Sequence, residues 1–319
     1  MTANGADTKS EVVANALKEL ATIEKDFAAV ELDALRQKEY SLKELYARRQ
    51  TCLARIPSFW STVVANGPEE LQAVLAPNDA PVFNALKSMK VERYQIKSDT
   101  EGEPRSLRFT FEFEKNEFFE DSIVVKDFEY RVREDGGSLV SRPVTFHWTN
   151  KAKKSGVNKL LDLTEQLYKA EEAFAEGQIE KKERESLWQY EKLREELERQ
   201  EDSSEEPGFL NWFGFRGAVD VPAVKEQDEE EDEDIEEDGT LDVEIFPAGD
   251  DIALALAEDL WPNVMDYFIR AQENDDEDIE IDEEEEDEDA PELVKAGDFE
   301  GFDEEDEDEK PPAKKARRS

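Results

Sequence analysis

Carboxylates are by far the most numerous side chains in this sequence that could do chemistry. The chain has 84 Asp and Glu residues against 40 Lys and Arg residues, which gives a formal net charge of −44 at pH 7. The charge is uneven, because residues 1–200 hold 37 acidic and 31 basic residues, whereas residues 201–319 hold 47 acidic and 9 basic residues. Such a polyanion repels nucleic acid and anionic membranes, and its natural partner is strongly cationic.

Three nearly continuous acidic runs carry most of that charge. Residues 228–238 are acidic at 10 of 11 positions, residues 275–289 at 13 of 15, and residues 303–309 at every position. Because the runs hold few apolar side chains and repel themselves, they are predicted to be disordered. The middle run supplies candidate contacts to a basic partner, namely Asp282, Glu283, Glu284, Glu285 and Glu286.

A second group of carboxylates lies on and directly after the most regular strand pattern in the chain. Residues 107–114 alternate between apolar and polar side chains, which is typical of a strand with one buried face. The carboxylates could therefore form an ordered acidic face, although an ordinary solvated sheet face explains any single one of them equally well. They are Glu112, Glu114, Glu117, Glu120 and Asp121.

Residue types that serve catalysis or metal binding are scarce. His147 is the only histidine and Cys52 the only cysteine, so no Cys/His zinc site can form and a Ser-His-Asp triad would need His147 as its base. His147 lies in a predicted strand, where a core or edge position is the favoured interpretation. Residues 234–245 resemble a calcium loop only faintly, since Glu236 and Ile245 stand where other ligands are needed. We therefore predict no enzymatic activity, no cofactor and no metal site.

The chain ends in a short basic segment, residues 310–319, directly after an acidic run. This pattern indicates a nuclear import signal, but it is weak, and the segment could instead fold back on the neighbouring acids. The single cysteine fits a reducing compartment, and neither a signal peptide nor a membrane-spanning segment is predicted. We expect a nuclear location, with shuttling to the cytoplasm left open. The basic residues are Lys314, Lys315, Arg317 and Arg318.

The longest regular pattern is a helix predicted over residues 11–55, which has no Pro or Gly and carries apolar residues at heptad spacing. Residues 1–10 before it are small and polar and are predicted to be disordered. A helix of roughly 60–65 Å extends beyond one small domain, so a second copy of the same helix is the favoured cover for the apolar face. An intrachain bundle is the alternative. The predicted dimerisation residues are Val13, Leu17, Leu20, Ile23, Phe27 and Val30.

The remaining folded part is predicted to be an α+β domain in which helices flank an antiparallel sheet. Its last helix before the sheet is predicted over residues 81–88, and its last strand over residues 139–148. Clustered aromatics (Trp60, Trp212, Phe213 and Trp261) could form a peptide-binding platform, but core packing is favoured. The predicted segments are 56–150 for helices and sheet, 151–206 for a charged helical insert, 207–226 for an aromatic segment docking on the domain, 227–240 for an acidic linker, 241–272 for C-terminal helices and 273–309 for a disordered acidic tail.

Four segments in this order resemble the nucleosome assembly protein family and, within it, the SET-like branch. They are Ile-Pro-Ser-Phe-Trp at 56–60 after a long helix, the strand and acidic stretch at 107–121, Gly-Phe-Leu-Asn-Trp-Phe at 208–213, and Asp-Leu-Trp-Pro-Asn at 259–263 before an acidic tail. The charged stretch 151–206 departs from the family pattern. The resemblance implies a long antiparallel dimerisation helix that carries an α/β "earmuff" domain at each end.

The resemblance also implies a function, since histone chaperoning is the activity of that family. The expected protein is a homodimer that binds one or both kinds of core-histone pair through its acidic surfaces and tail. It would support nucleosome assembly, disassembly and chromatin remodelling without direct contact to nucleic acid or membrane. The alternatives are a SET-like regulatory inhibitor of a protein phosphatase or of histone modification, and an acidic low-affinity cation buffer. A histone acetyltransferase and a phosphatase are further candidate partners.

Overall fold

The computed structural model describes residues 4–132, 137–174, 181–202, 208–217 and 243–273, and every structural statement below concerns these residues. The predicted acidic linker, the acidic tail beyond residue 273 and the terminal basic segment lie outside them. Among the described residues, none of the helices combines the length and the apolar composition that crossing a membrane requires.

Helix α1 runs from Asn4 to Leu53 and is about 75 Å long at 1.5 Å per residue. The prediction that residues 1–10 are disordered was wrong for residues 4–10, because an established helix extends through polar residues at little cost once it has been nucleated. Side chains 12–31 are exposed all round the helix. From Leu32 onward, in contrast, every third or fourth residue is covered by the following domain, with Leu53 fully buried.

Polar side chains on the second half of α1 fix it to the domain. The Arg49 guanidinium donates to the carbonyls of Trp261 (2.6 Å) and Pro262 (3.1 Å), and it stacks over the Trp261 ring at 4.5 Å. The Gln50 amide donates to the carbonyl of Met89 at 2.6 Å. Arg36, which is buried, donates to the carbonyl of Gly102 at 2.8 Å. The two halves of α1 therefore differ, since only the second half is built into the domain.

Short helical segments lead from α1 into a four-stranded antiparallel sheet with the order β1-β2-β3-β4. Alternate residues of β2 are buried, so one face of the sheet covers the core and the other carries half-exposed polar residues. The elements are α2 (Phe59–Ala65), α3 (Glu69–Gln72), a 3₁₀ turn (Pro77–Asp79), α4 (Ala80–Asn84), β1 (Leu86–Glu92), β2 (Leu107–Phe113), β3 (Ile123–Arg131) and β4 (Ser138–Ser141).

Two predicted boundaries in this region were wrong. The last strand ends at Ser141 and not near Trp148, because Pro143 has no N–H for a sheet ladder and restricts the residue before it. The helix predicted over residues 81–88 ends at Asn84, because Leu86 already pairs with Phe113 of β2. Pairing with a long neighbouring strand decides such a boundary, and a single sequence does not reveal that pairing.

Helices α5 (Asn150–Ser155), α6 (Lys159–Glu172), α7 (Lys181–Glu185) and α8 (Trp188–Asp202) occupy the charged stretch after the sheet. These helices are part of the folded domain, since four of their leucines are buried in the same core as the sheet. They are Leu160, Leu161, Leu167 and Leu193. Gly249–Leu254 forms α9, which continues through a π-helical turn (Ala255–Leu260), and residues 264–273 are helical after an interruption at Pro262.

Residues 208–217 cross the inner face of the sheet, and we call them the aromatic strap. Its 3₁₀ helix, Phe209–Gly214, is fully buried. The ring of Trp212 lies 5.2 Å from the rings of Phe109 and Phe128, and its indole N–H donates to the carbonyl of Gly249 at 2.8 Å. The strap therefore joins the sheet to the C-terminal helices. Trp60 and Trp261 are buried too, so core packing accounts for the clustered aromatics.

Buried charged groups hold the strap along its length. Asp79 accepts a hydrogen bond from the Phe209 N–H (2.8 Å), and Glu244 accepts one from the Arg216 N–H (3.0 Å). The Lys126 ammonium has no exposed surface and donates to the carbonyls of Phe213 (3.0 Å), Phe215 (2.6 Å) and Arg142 (2.9 Å). Burial raises the pKa values of Asp79 and Glu244 and lowers the pKa of Lys126 well below its ordinary value.

An ion triad links the strap to the charged helices. The Glu171 carboxylate on α6 pairs with Arg184 of α7 at 2.7 Å and with Arg216 of the strap at 2.5 Å, and all three side chains are buried. Removing one member of such a group leaves a buried charge without its partner, which is strongly destabilising. The observed architecture confirms the predicted fold class, a long N-terminal helix followed by an antiparallel sheet flanked by helices.

Candidate functional site

The predicted ordered carboxylates lie together at one end of the sheet, on residues 112–122, which we call the acidic platform. It comprises the last two residues of β2 and the connection to β3. The sequence favours this arrangement locally, because the strand ends in a run of polar residues around Asn116. The Asn116 side chain accepts hydrogen bonds from the N–H groups of Phe118 (2.9 Å) and Phe119 (3.0 Å), which forms a tight turn.

The backbone of the platform is fixed at several further points. The Glu114 N–H donates to the carbonyl of Ala85 (2.8 Å), and the Glu120 N–H donates to the carbonyl of His147 (2.9 Å). Phe119 is only 1% exposed and anchors the connection in the core, where its ring lies 5.0 Å from those of Phe113 and Phe146. A segment held in this way carries its acidic residues on a fixed backbone.

The five platform carboxylates differ in how free they are. In the part of the chain that the structure describes, Glu112, Glu114 and Glu120 have no ion-pair partner. Glu117 pairs with Lys151 of α5. Asp121 accepts hydrogen bonds from both the backbone N–H and the ring Nδ1 of His147, each at 2.7 Å. Asp121 therefore holds residues 146–148 in place, and three of the five carboxylates remain available to a partner.

His147 lies in the irregular segment after β4 with an exposed side chain, so the predicted core or edge position within a strand was wrong, because β4 already ends at Ser141 before Pro143. The hydrogen bond to Asp121 and the negative charge of that carboxylate raise the pKa of His147. Its role is to fix the platform against the segment that follows β4. Across the described residues, no three His, Cys, Asp or Glu side chains are grouped so that they could hold a metal ion.

A pocket of about 460 Å³ opens in the platform. Phe113 and Phe119 border it with rings that are buried in the core, and Glu114, Glu120 and Asp121 are its acidic lining residues. Glu112 and Glu117 do not line it, which divides the platform carboxylates into two groups. The remaining lining residues are Lys115, Asn116, Ser122 and Thr149.

All six residues predicted for dimerisation are exposed in the single chain. Between 46% and 67% of each side chain is accessible, although all are large and apolar. Together with Val12 they form the largest group of exposed apolar residues on α1. The six are Val13, Leu17, Leu20, Ile23, Phe27 and Val30. The predicted contacts Asp282, Glu283, Glu284, Glu285 and Glu286 and the basic Lys314, Lys315, Arg317 and Arg318 lie outside the described residues.

Comparison with known proteins identifies the family. A family model described as nucleosome assembly protein (NAP) matches residues 4–271. The chain belongs to the nucleosome assembly protein family. Its family resemblance was thus predicted correctly from four short segments, although the family model also spans the divergent helices α5 to α8.

Two relatives give the scale of that similarity. A protein of Schizosaccharomyces pombe assigned as a nucleosome assembly protein (C36B7.08c) is 25% identical over 277 residues, which cover 83% of this chain and 84% of that protein. Protein SET of Drosophila melanogaster is 25% identical over 247 residues, which cover 76% of this chain and 66% of that protein.

Solved structures share the fold. A crystal structure of Vps75 superposes with a TM-score of 0.52 at 19% sequence identity, covering 81% of this chain and 99% of that one. A crystal structure of a Ccp1 mutant gives a TM-score of 0.50 at 21% identity, covering 83% of this chain and 99% of that one. The NAP-type fold therefore extends across the described domain.

Proposed function

We propose that this protein is a histone chaperone that binds core histones through its acidic platform and its acidic runs. The observation that carries the proposal is a platform with a fixed backbone and three carboxylates that have no ion-pair partner in the described part of the chain, in a NAP-family chain whose net charge is −44. Histones are held to DNA largely through Lys and Arg contacts to phosphate and through counterion release. A polyanion competes for the same side chains without offering base stacking or a fixed register.

The two kinds of acidic element would have different tasks. The runs at residues 228–238, 275–289 and 303–309 supply dense charge that attracts a basic partner over a distance of about one Debye length, roughly 8 Å at physiological salt. The platform supplies a few carboxylates on a backbone that is held in place by hydrogen bonds to the carbonyls of Ala85 and His147. Charge of the first kind favours capture and release, and positioned charge of the second kind favours one orientation of the cargo.

We further propose that two copies of α1 pair through residues 12–30. Exposed apolar side chains at this density are typical of an interaction surface, and no other described part of the chain covers them. A second copy is the partner that always has a matching apolar face, and a two-fold axis allows each helix to cover the other. The dimer would then present two platforms, one for each copy.

The proposal also includes a nuclear location, which the terminal basic residues would direct. It includes no catalytic step. The basic cluster at residues 314–318 is separated from the folded domain by the acidic tail. The mechanism needs no nucleotide and no bond-breaking step, because exchange of ionic contacts is sufficient to transfer a histone.

The test is a pull-down of each purified core-histone pair by the full chain at several salt concentrations, with the mass of the complex measured by light scattering. We expect a dimer that retains histones at moderate salt, loses them as salt is raised, and binds more weakly without residues 275–310. A chain lacking residues 311–319 serves as the control, since it keeps the acidic runs. Binding that is insensitive to salt would contradict the mechanism. If the dimer binds neither histone pair, the proposal is refuted and the regulatory-inhibitor alternative is favoured.

A further inference from the structure

We propose that carboxylates on both edges of the apolar seam of α1 oppose the pairing of two copies, so that the dimer tightens as the ionic strength rises. The inference rests on the proposed pairing and goes beyond it, because it assigns a register to the two helices and a response to salt. Binding of a basic partner should respond in the opposite direction, since salt screens attraction between opposite charges.

Two series of apolar residues on α1 repeat at seven-residue intervals, which is the spacing of a two-helix seam. When two copies run in opposite directions about a two-fold axis, each member of one series packs against a member of the other. The largest side chain, Phe27, then lies opposite the small Ala16 of the partner subunit, whereas a parallel pair would place Phe27 opposite itself. Size matching therefore favours a second copy in the reversed direction. The series are Val13, Leu20 and Phe27, and Ala16, Ile23 and Val30.

Acidic side chains border this seam on both edges. Within residues 18–31, an acid directly precedes each residue of the first series and directly follows each residue of the second. All four acids are exposed, and none has an ion-pair partner among the residues that the structure describes. Lys18 and Lys25 cannot neutralise them, because each lies two residues from the seam and thus about 200° around the helix axis. The four acids are Glu19, Asp26, Glu24 and Glu31.

The reversed pairing brings two of these acids together. With Leu20 opposite Ile23 of the partner subunit, Glu19 lies on the same edge as Asp26 of the partner subunit, about one helical turn or less along the axis. The two-fold axis makes this contact twice. Like charges at neighbouring surface positions are destabilising, and salt screens them. The apolar seam therefore drives the pairing, and the acids on its edges limit its strength.

Charge reversal in the full-length chain tests this register, with the dimer dissociation constant measured by sedimentation equilibrium. Asp26→Lys places a lysine beside Glu19 of the partner subunit at both contacts and should tighten the dimer about three- to tenfold. Adding Glu19→Lys restores like charges at both contacts and should remove most of that gain. Glu191→Lys, at an exposed position on α8, changes the net charge as Asp26→Lys does and should alter the constant less than about twofold. Circular dichroism checks that all three variants remain helical.

The double variant separates contact between the two acids from bulk charge. If net charge alone opposed the dimer, the double variant would pair more tightly than Asp26→Lys, because it is the least acidic of the proteins compared. A parallel pair would give the same order, since each lysine would then face a different acid. A double variant that is tighter than the single one, or a single variant that pairs no more tightly than Glu191→Lys, would overturn the proposed register.

The salt response is the second readout. Between about 10 mM and 150 mM salt the Debye length falls from about 30 Å to about 8 Å. We expect the wild-type dimer to tighten over this range and Asp26→Lys to tighten less. A wild-type dimer that weakens with salt would refute the charge opposition and leave the pairing through residues 12–30 in place. If the wild type is monomeric at every salt concentration, the proposed pairing itself fails.

Discussion

Replacing Phe27 with Asp should break the proposed dimer. The Phe27 side chain is 60% exposed in the single chain, so a partner helix would remove much of it from water. Full burial of a Phe side chain contributes about 1.5–3 kcal/mol, and a two-fold dimer contains the position twice. Because at most about six-tenths of that burial is left for the dimer to supply in each copy, the substitution should cost about 2–3.5 kcal/mol of association free energy. Since 1.4 kcal/mol is a tenfold change, the dimer dissociation constant should rise by about 20- to 400-fold.

Ala29→Asp is the matched control for that prediction. Ala29 is exposed on the same helix and lies two residues away, which places its side chain about 200° around the axis from Phe27. It adds the same charge at nearly the same height without touching the proposed seam. Sedimentation equilibrium should show a monomer for Phe27→Asp at concentrations where Ala29→Asp remains dimeric. If both variants keep the wild-type equilibrium, the pairing of residues 12–30 is wrong.

Two further predictions concern the buried charges that hold the strap. Lys126→Met removes a buried ammonium that donates to three backbone carbonyls and should reduce the free energy of unfolding by about 2–4 kcal/mol. Thermal unfolding of Lys90→Met, a change at a half-buried position on the outer sheet face, gives the comparison. Because burial raises the pKa of Asp79, the cost of its native charge shrinks as the pH falls through the raised folded-state pKa toward the ordinary value. Denaturant unfolding followed from pH 7 down to pH 4, close to the ordinary carboxyl pKa, should therefore show the wild type gaining stability relative to Asp79→Asn, and a constant difference over that range would refute this assignment.

The sequence predicted the elements whose patterns are local. The alternation at residues 107–114 predicts β2 because one face of that strand meets the core, and the heptad spacing before residue 32 predicts α1 because no Pro or Gly interrupts it. The return strand was overestimated because its apolar residues beyond Pro143 pack beside the strap, where Val144 N–H bonds the carbonyl of Phe213 at 2.9 Å. That contact joins residues almost 70 positions apart in the sequence. It produces no periodic pattern of apolar residues in either segment, so the sequence does not reveal it.

Charged residues at interior positions were the main omission. Lys126 occupies an inward position of β3, yet a lysine in a strand is normally assigned to the solvent face. The alternation of that strand indicates the inward position of Lys126. Val124 and Phe128 lie two residues before and after it, on the same face of the strand, and both are buried. Its partners could not have been inferred, since all three are backbone carbonyls of remote segments. Glu171 and Arg184 were hidden in the same way inside a stretch with the pattern of a charged surface, and Arg216 was hidden at the end of the aromatic segment.

The platform carboxylates show why residue type alone does not define a site. Five acids in ten residues predict one acidic face, but the fold gives them three different tasks. Asp121 fixes the segment that contains His147, Glu117 pairs with Lys151, and the other three have no ion-pair partner among the residues that the structure describes. In a polyanionic run, the carboxylates have neighbours of the same kind along the sequence, so no such division of tasks is expected. Orientation of a cargo should therefore depend on the platform, and capture should depend on the runs. Changes in the two regions should then have separable effects on histone binding.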